Sequence, residues 1–317
     1  MVAEAPSLVD VEEARGRLSG NVLRTPLVQL PDVGGNADIY LKLENLQPIG
    51  SFKLRGAGNA MERADPEMLQ RGVYTASAGN MAQGVAWHAR RLGIPCICVV
   101  PDHAPDAKLD AIRRLGGSVL PVPFEEWWKV IVESHYPGLD GFFVHPVSDP
   151  AVMAGNGTIA LEILEDLPEV EAVVVPYGGG GLSCGIASAL GESGSEAKVY
   201  AAEVETAAPL AAAFAADRPV QIEYEPSFVD GIGSSSVLAD MWPLARWLIT
   251  ESIVVSLAEI EEAIRLLAGR SRVVAEGAGA ASVAAALGGR VGGGPVVCVV
   301  SGGNIDLAKL APILATS

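Results

Sequence analysis

Basic residues are scarce in this sequence of 317 residues. Lys and Arg number 22 against 38 Asp and Glu, which gives a formal net charge of −16. A strongly acidic surface repels nucleic-acid phosphates and anionic lipid headgroups. The charge therefore argues against a nucleic acid or a membrane as partner, but it does not exclude a small anion held in a locally positive pocket.

Long apolar runs are absent as well. No stretch approaches the roughly 20 apolar residues that a membrane-spanning helix needs. The first residues also lack the basic region and apolar core of a secretory signal. We therefore expect a cytoplasmic protein without a membrane partner.

Cysteine and histidine number only four each. Cys96, Cys98, Cys184 and Cys298 lie in apolar stretches, which predicts buried, unpaired thiols. Cys96 and Cys98 would point the same way on one strand, but no second Cys or His pair completes a zinc site.

Hydrophobic residues are abundant instead, at 50% of the chain, whereas only 19% of the residues are charged. This composition excludes global disorder. A chain of this length predicts one large domain or two moderate ones.

Short β-branched runs alternate with amphipathic segments, which predicts an α/β fold whose parallel sheets are covered on both faces. We predict a long irregular segment at 217–241, of the kind that often borders an active site. The predicted strands are 38–43, 96–100, 118–122, 142–145, 172–176, 198–203 and 295–301. The predicted helices are 52–63, 81–92, 106–115, 152–164, 182–190, 257–267 and 278–287.

Four consecutive glycines follow the predicted strand 172–176 and precede Leu182. Their amides can converge on one point, and the helix that follows adds its positive N-terminal end, so the turn predicts a phosphate or anion cradle. The turn lacks the Lys-Ser/Thr of a nucleotide-binding P-loop and the usual dinucleotide spacing. A tight turn that only packs helix on strand is the alternative.

Lys53 lies where a lysine is unfavourable. Ser51 is a suitable helix N-cap, which would place Lys53 in the first turn, at the positive end of the helix dipole. That cost suggests a lowered pKa or a covalent imine that removes the charge. The alternative is an ordinary exposed lysine.

Two further turns carry polar groups. A strand ends before Ser77, and a helix begins at or just after Asn80, so free amides there could hold a carboxylate. Asn80 could equally be a plain helix cap. Ser301 lies at the tip of the last predicted strand and offers a neutral hydroxyl, or is simply a turn residue.

Taken together and in this order, six segments resemble the fold-type II pyridoxal-phosphate (PLP) enzymes, in particular the serine/threonine dehydratase and serine racemase group. The segments are 41–57, 77–86, 154–163, 178–182, 276–281 and 301–304.

The resemblance implies two open, twisted α/β domains of the tryptophan synthase β-subunit type, with the cofactor in the cleft between them. A small mobile domain would comprise 48–145, and a large PLP-binding domain would comprise 1–47 with 146–317. It also implies a homodimer.

The resemblance further implies a role for each matching residue. Lys53 would hold PLP as a Schiff base and act as the catalytic base, and Phe52 would pack on the cofactor ring. Asn80 would bond the 3′-oxygen, and Ser301 would face the ring nitrogen with Glu276 nearby. The phosphate would lie on Gly178, Gly179, Gly180, Gly181 and Leu182, and the substrate carboxylate on Ser77, Ala78, Gly79, Asn80 and Met81.

The implied reaction is β-elimination from a β-hydroxy amino acid, with L-threonine or L-serine expected, to a 2-oxo acid and ammonia. A neutral serine at the ring nitrogen weakens the electron sink, which favours elimination over transamination. Ala78 replaces a serine of the family's racemases, which argues against efficient racemisation. The alternatives are another substrate such as 3-hydroxyaspartate or phenylserine, a weak racemase, and a PLP-binding protein without turnover.

The family's divalent-cation site is incomplete here. Glu203 and Ala207 match its pattern, but Pro209 stands where a second acid would be, and proline offers no side-chain ligand. We therefore expect no metal.

Overall fold

The computed structural model describes residues 3–31 and 38–315. The described strands, numbered in chain order, are β1 (Leu27–Gln29), β2 (Asp38–Lys42), β3 (Val73–Ala76), β4 (Cys96–Pro101), β5 (Ser118–Val122), β6 (Phe142–Phe143), β7 (Ala172–Pro176), β8 (Lys198–Val204), β9 (Glu251–Val255) and β10 (Pro295–Val299).

The described helices surround these strands. They are α1 (Leu8–Leu18), α2 (Lys53–Arg63), α3 (Pro66–Gln70), α4 (Asn80–Leu92), α5 (Asp106–Arg114), α6 (Phe124–Glu133), α7 (Pro150–Asp166), α8 (Gly181–Glu192), α9 (Pro209–Ala216), α10 (Trp242–Leu248), α11 (Leu257–Leu266), α12 (Gly277–Leu287) and α13 (Leu307–Ala315). Short 3₁₀ turns cover Glu44–Leu46 and Asp230–Ile232, and a π turn, Leu267–Ser271, follows α11.

The strands form two separate sheets. The larger has the order β1-β2-β10-β7-β8-β9 and is parallel except for the antiparallel edge strand β1. The smaller has the order β5-β4-β3-β6 and is entirely parallel. The predicted α/β class with two parallel sheets is confirmed.

Strand β7 shows why its sequence is apolar throughout. All five of its residues are buried. Val174 enters one hydrophobic core, and Val173 and Val175 enter another on the opposite face. A strand covered on both faces has no solvent side, so its residues need not alternate with polar ones.

Helix α2 packs against both α4 and α7, and eight of its eleven residues are buried. Its anchor is a buried ionic cluster in which Arg55 donates to Glu44 at 2.8 Å and to Glu162 at 2.6 Å. Lys42 donates to the other oxygen of Glu162 at 2.6 Å. Because removal of one partner would leave a buried charge unpaired, the cluster fixes the start of α2, where Lys53 lies.

All four cysteines are buried and free, as predicted. Among the described residues, no helix is long and apolar enough to cross a membrane. The strands of the smaller sheet fall between residues 73 and 143. The exact division at 48–145 stays a prediction.

Candidate active site

A cleft of about 390 Å³ opens at the carboxyl ends of β3, β7 and β10. Ligands of open α/β sheets commonly bind at this edge. Every residue that the sequence analysis assigned to the cofactor or the substrate lines this cleft. These residues are Phe52, Lys53, Ser77, Ala78, Gly79, Asn80, Met81, Gly178, Gly179, Gly180, Gly181, Leu182, Glu276 and Ser301.

The predicted N-cap of α2 is wrong. Phe52 occupies the cap position with no side-chain capping bond, and Lys53 is the first helical residue. Ser51 forms an isolated β-bridge with Gly302, and the Phe52 amide donates to the Ser301 carbonyl at 3.0 Å. This backbone pairing replaces the cap and ties the start of α2 to the turn after β10.

Lys53 is partly buried and, within the described part of the chain, has no counter-ion. Its Nζ donates to the carbonyl of Pro146 at 2.8 Å and lies 5.1 Å from the centroid of the Phe52 ring. No carboxylate of the described residues forms an ion pair with it. Burial lowers the pKa of Lys53 to about 8. The amine is therefore partly neutral near pH 8, as a nucleophile or proton acceptor must be.

The glycine turn fits a phosphate. Within the described part of the chain, the amides of residues 178–182 make no backbone hydrogen bond, and Cys184 is the first to donate, to Gly180 at 2.8 Å. Gly180 has a φ of +97°. A Cβ on Gly179 would lie 2.5 Å from a methyl carbon of Val147, and one on Gly181 would lie 2.6 Å from the Val147 carbonyl oxygen. Only glycine fits, and the open amides suit an anion.

The N-terminus of α4 forms a second anion cradle. The Gly79 amide donates to Ser77 Oγ at 3.2 Å, and the helix begins at Asn80 behind the Gly79 cap. The next amide that donates is that of Gln83, to the Gly79 carbonyl at 3.2 Å. The amides between them have no backbone acceptor and form the positive end of the helix dipole, so they suit a carboxylate.

Asn80 joins this helix to the opposite wall of the cleft. Its Nδ2 donates to Glu276 Oε1 at 2.8 Å, and its Oδ1 accepts from Asn304 Nδ2 at 2.8 Å. Burial raises the pKa of Glu276 to about 7. The carboxyl can therefore take up a proton near neutral pH, and its Oε1 accepts the Asn80 hydrogen bond.

Several cleft residues were missed by the sequence analysis. Trp127 of α6, His103 and Lys108 line one wall, and Lys108 Nζ lies 2.9 Å from Asp230 Oδ2 across the cleft. No periodicity or motif marked Trp127. Asp230 lies in the segment 217–241, which was predicted to border a site, and that prediction is confirmed.

Glu203 lies outside the cleft and caps a helix. Its two oxygens accept from the amides of Leu210 and Ala211, both at 2.8 Å, and from Ser252 Oγ at 2.5 Å. Ala207 is buried nearby, and its amide donates to the Val204 carbonyl. No group of three or more His, Cys, Asp or Glu side chains among the described residues could hold a metal ion.

Comparisons with known proteins agree with this geometry. The model of the pyridoxal-phosphate dependent enzyme family matches residues 18–302. The L-threonine ammonia-lyase of Thermotoga maritima is 42% identical over 314 residues, which cover 97% of this chain and 78% of that relative.

Two solved structures share the fold. Maize serine racemase superposes with a TM-score of 0.90 at 30% identity, covering 98% of this chain and 97% of its own. The processed threonine deaminase isoform 2 of Solanum lycopersicum gives a TM-score of 0.87 at 30% identity, covering 99% of this chain and 91% of its own.

The fold and the cleft define an enzyme in which a lysine amine and two groups of open backbone amides lie together. The chain belongs to the pyridoxal-phosphate dependent enzyme family. The residues fit the cofactor, because a partly buried amine without a counter-ion and the open glycine amides line the same cleft.

Proposed function

We propose that this protein is an ammonia-lyase that converts L-threonine, L-serine or both to a 2-oxo acid and ammonia. The observation that carries the proposal is the alanine at position 78, in the carboxylate cradle of a cleft whose only assigned base is Lys53. A methyl group neither gives nor takes a proton. Position 78 therefore supplies no proton donor to the face of the substrate Cα opposite Lys53, which racemisation would need. The 42% identity to a threonine ammonia-lyase supports the same reading.

The proposed roles begin with Lys53. PLP, when bound, supplies the electron sink that makes the substrate's Cα–H acidic. Lys53 would hold the cofactor, and once the substrate's amino group has taken its place there, the freed Lys53 amine would accept the α-proton. A pKa near 8 keeps a useful fraction of this amine neutral at physiological pH, whereas an ordinary lysine would be almost fully protonated.

The remaining residues bind and orient. The open amides of the glycine turn hold the phosphate, and those at the start of α4, with Ser77, hold the substrate carboxylate. Phe52, Asn80, Glu276 and Ser301 hold the cofactor ring. Asn80 contributes to both groups, and its bonds to Glu276 and Asn304 fix its amide orientation.

A larger β-substituent is the second candidate. Met81 and Trp127 both line the cleft and give part of its wall an apolar surface. A phenylserine would bury its ring against such a wall, whereas the charged side chain of 3-hydroxyaspartate would lose solvation there.

We also propose that the protein is a cytoplasmic homodimer. The family resemblance supports this assembly. Sedimentation equilibrium of the purified protein would test the assembly, because a monomer at micromolar concentration contradicts it.

The decisive experiment measures 2-oxo acid release by the purified holoenzyme. The panel is L-threonine, L-serine, their D-forms, 3-hydroxyaspartate and phenylserine, with Lys53→Ala as the inactive variant and Lys129→Ala as a control at an exposed lysine. We expect release from L-threonine that Lys53→Ala abolishes. Release from phenylserine alone would favour the second candidate, and bound PLP without any product would contradict both.

A further inference from the structure

His145 lies where the chain passes from the smaller sheet to α7, two residues beyond β6. Its side chain is only 8% exposed. The next two residues, Pro146 and Val147, line the active-site cleft. The proposed function assigns no role to this histidine, although it lies directly behind the cleft wall.

The imidazole ring joins two parts of the chain. Its Nδ1 accepts hydrogen bonds from the amide of Val147 at 3.0 Å and from the amide of Ser148 at 2.9 Å. Nδ1 must therefore be unprotonated, so the proton of the neutral ring is on Nε2. Nε2 lies 3.1 Å from the carbonyl oxygen of Ile131, to which it donates.

This arrangement resembles an Asx turn. In such a turn a side-chain acceptor takes the amide two residues further along and shapes a tight bend. Here the ring nitrogen of His145 does the same for the bend 146–148. The bond to Ile131 then fixes the ring against α6, so the bend is held from both sides.

The bend in turn contacts both parts of the cofactor site. The Pro146 carbonyl accepts the 2.8 Å hydrogen bond from the Lys53 amine. Val147 presses on the glycine turn closely enough to exclude a Cβ at Gly179 or Gly181. A shift of the bend would therefore move the acceptor of the amine and the floor of the phosphate cradle together.

We propose that His145 is a positioning residue for PLP binding. Its neutral ring holds the bend 146–148, and through this bend it sets the relative position of the Lys53 amine and the glycine turn. The proposal rests on the family's cofactor and not on the identity of the substrate.

The surroundings keep the ring neutral. Burial lowers the pKa of His145, and the nearby Lys53 cation lowers it further. The Ile131 carbonyl, Asp240 and Asp149 act in the opposite direction but do not overcome burial. Nδ1 therefore remains an acceptor at physiological pH.

Two variants separate the acceptor from the rest of the side chain. In His145→Asn, Oδ1 takes the place of Nδ1 and can still accept the two amides. In His145→Gln, the side-chain amide reaches towards Ile131, but the acceptor is lost from the Nδ1 position. His135→Gln is the matched control, because His135 is exposed and lies on the same segment.

The measurement is the Kd of PLP, titrated into protein stripped of cofactor and followed by the cofactor's visible absorbance. Two lost hydrogen bonds of about 1 kcal/mol each predict that His145→Gln raises Kd at least about tenfold. We expect His145→Asn and His135→Gln to stay within about threefold of the wild type, because neither loses the Nδ1 acceptor. Mass spectrometry after borohydride reduction checks that Lys53 carries the cofactor.

Equal Kd values for His145→Gln and the wild type would overturn the proposal. So would equal weakening by His145→Gln and His145→Asn. If a variant fails to fold, long-range ¹H–¹⁵N NMR of the wild-type holoenzyme shows which ring nitrogen of His145 carries the proton. A protonated Nδ1 could not accept the two amides and would overturn the proposal. Since no substrate is used, a wrong substrate assignment leaves these results unaffected.

Discussion

At the residue scale, Lys53 destabilises the fold but gains reactivity as a neutral amine. Placing a lysine without a counter-ion where its pKa falls from 10.5 to about 8 costs on the order of 3 kcal/mol at neutral pH. Replacing it with methionine, which has a similar shape and no charge, removes this cost. We expect Lys53→Met to be more stable than the wild type at pH 7 when both lack cofactor.

The sign of the pH dependence follows from proton binding. Between pH 8 and pH 10.5 the unfolded lysine holds a proton that the folded one has released, so wild-type stability rises with pH in this window. The advantage of Lys53→Met should therefore shrink as the pH rises from 8 to 10.5. Urea unfolding of both proteins across this range measures it, and a constant difference would show that folding does not lower the pKa of Lys53.

Ala78 should limit the reaction to elimination. Adding a hydroxyl there with Ala78→Ser supplies a group that can exchange a proton in the carboxylate cradle. We expect interconversion of L-serine and D-serine to rise at least about tenfold, since positioned proton donors typically contribute that much or more. Chiral chromatography measures the product, with Ala104→Ser as a control at another cleft alanine. No gain would show that position 78 does not face the substrate.

The sequence predicted these residues to different extents. Lys53 is visible in the sequence because a lysine is unfavourable at the N-terminus of a helix. The glycines are visible because four in succession lose much conformational entropy on folding, which indicates a special role. The N-cap at Ser51 could not be judged correctly, because it is replaced by a β-bridge to Gly302, some 250 residues away in the chain. Trp127 carries no such signal, since an aromatic on an amphipathic helix is equally consistent with a core position.

At the scale of elements, the glycine turn can be compared with a glycine near the end of α8. Gly179→Ala, in the turn before α8, would place a Cβ 2.5 Å from Val147, whereas Gly191→Ala, in the last turn of α8, meets nothing within 4 Å. We expect Gly179→Ala to weaken PLP binding more than about tenfold, because the cradle must move to relieve an overlap worth about 1–3 kcal/mol. Gly191→Ala should leave PLP binding unchanged and stabilise the fold by about 0.5–1 kcal/mol.

Equilibrium titration of PLP and thermal melts test this pair of variants. Loss of PLP affinity in Gly191→Ala would mean that α8 as a whole, and not its first turn, controls the cradle. Unchanged affinity in Gly179→Ala would mean that the turn adapts to a side chain.

All seven predicted strands are present, and so are all seven predicted helices, within a few residues at their ends. Buried parallel strands and amphipathic helices follow directly from hydrophobic periodicity. The edge strands β1 and β9 were not predicted, because β1 has three residues and β9 opens with a polar pair. The helices that were not predicted are α1, α3, α6, α9, α10 and α13. Helix α9 was missed because its alanine-rich sequence has hardly any polar face.

At the scale of the whole molecule, topology brings together the turns of one sheet but not the two sides of the cleft. Parallel strands bring their carboxyl ends to one edge, so the turns after the neighbouring strands β7 and β10 converge by topology alone. The turn after β3 belongs to the smaller sheet and reaches the same cleft only because the two sheets pack together. The contacts between the two sides of the cleft depend on side chains far apart in sequence. His145 and the pair Lys108–Asp230 are such contacts.

The pair Lys108–Asp230 joins α5, which packs on the smaller sheet, to the irregular segment beside the larger one, with Nζ and Oδ2 2.9 Å apart. Lys309 of α13 lies 3.9 Å from the same oxygen. Both members of the pair line the cleft and are partly exposed, so their attraction is worth about 0.2–1 kcal/mol and is screened by salt. The pair therefore favours a closed cleft modestly.

We expect Lys108→Ala to raise KM about two- to fivefold while kcat changes less than about twofold, because this matches the free energy of one such pair. Wild-type KM should rise between about 0.05 and 0.5 M salt, and the variant's KM should rise less, since it has lost the ion pair between α5 and Asp230. Steady-state kinetics measure both, with Lys129→Ala as control, because within the described part of the chain Lys129 pairs only with Glu133 along one helix. A rise in KM beyond about tenfold would instead mean that Lys108 contacts the substrate itself, since a half-exposed ion pair cannot supply that much.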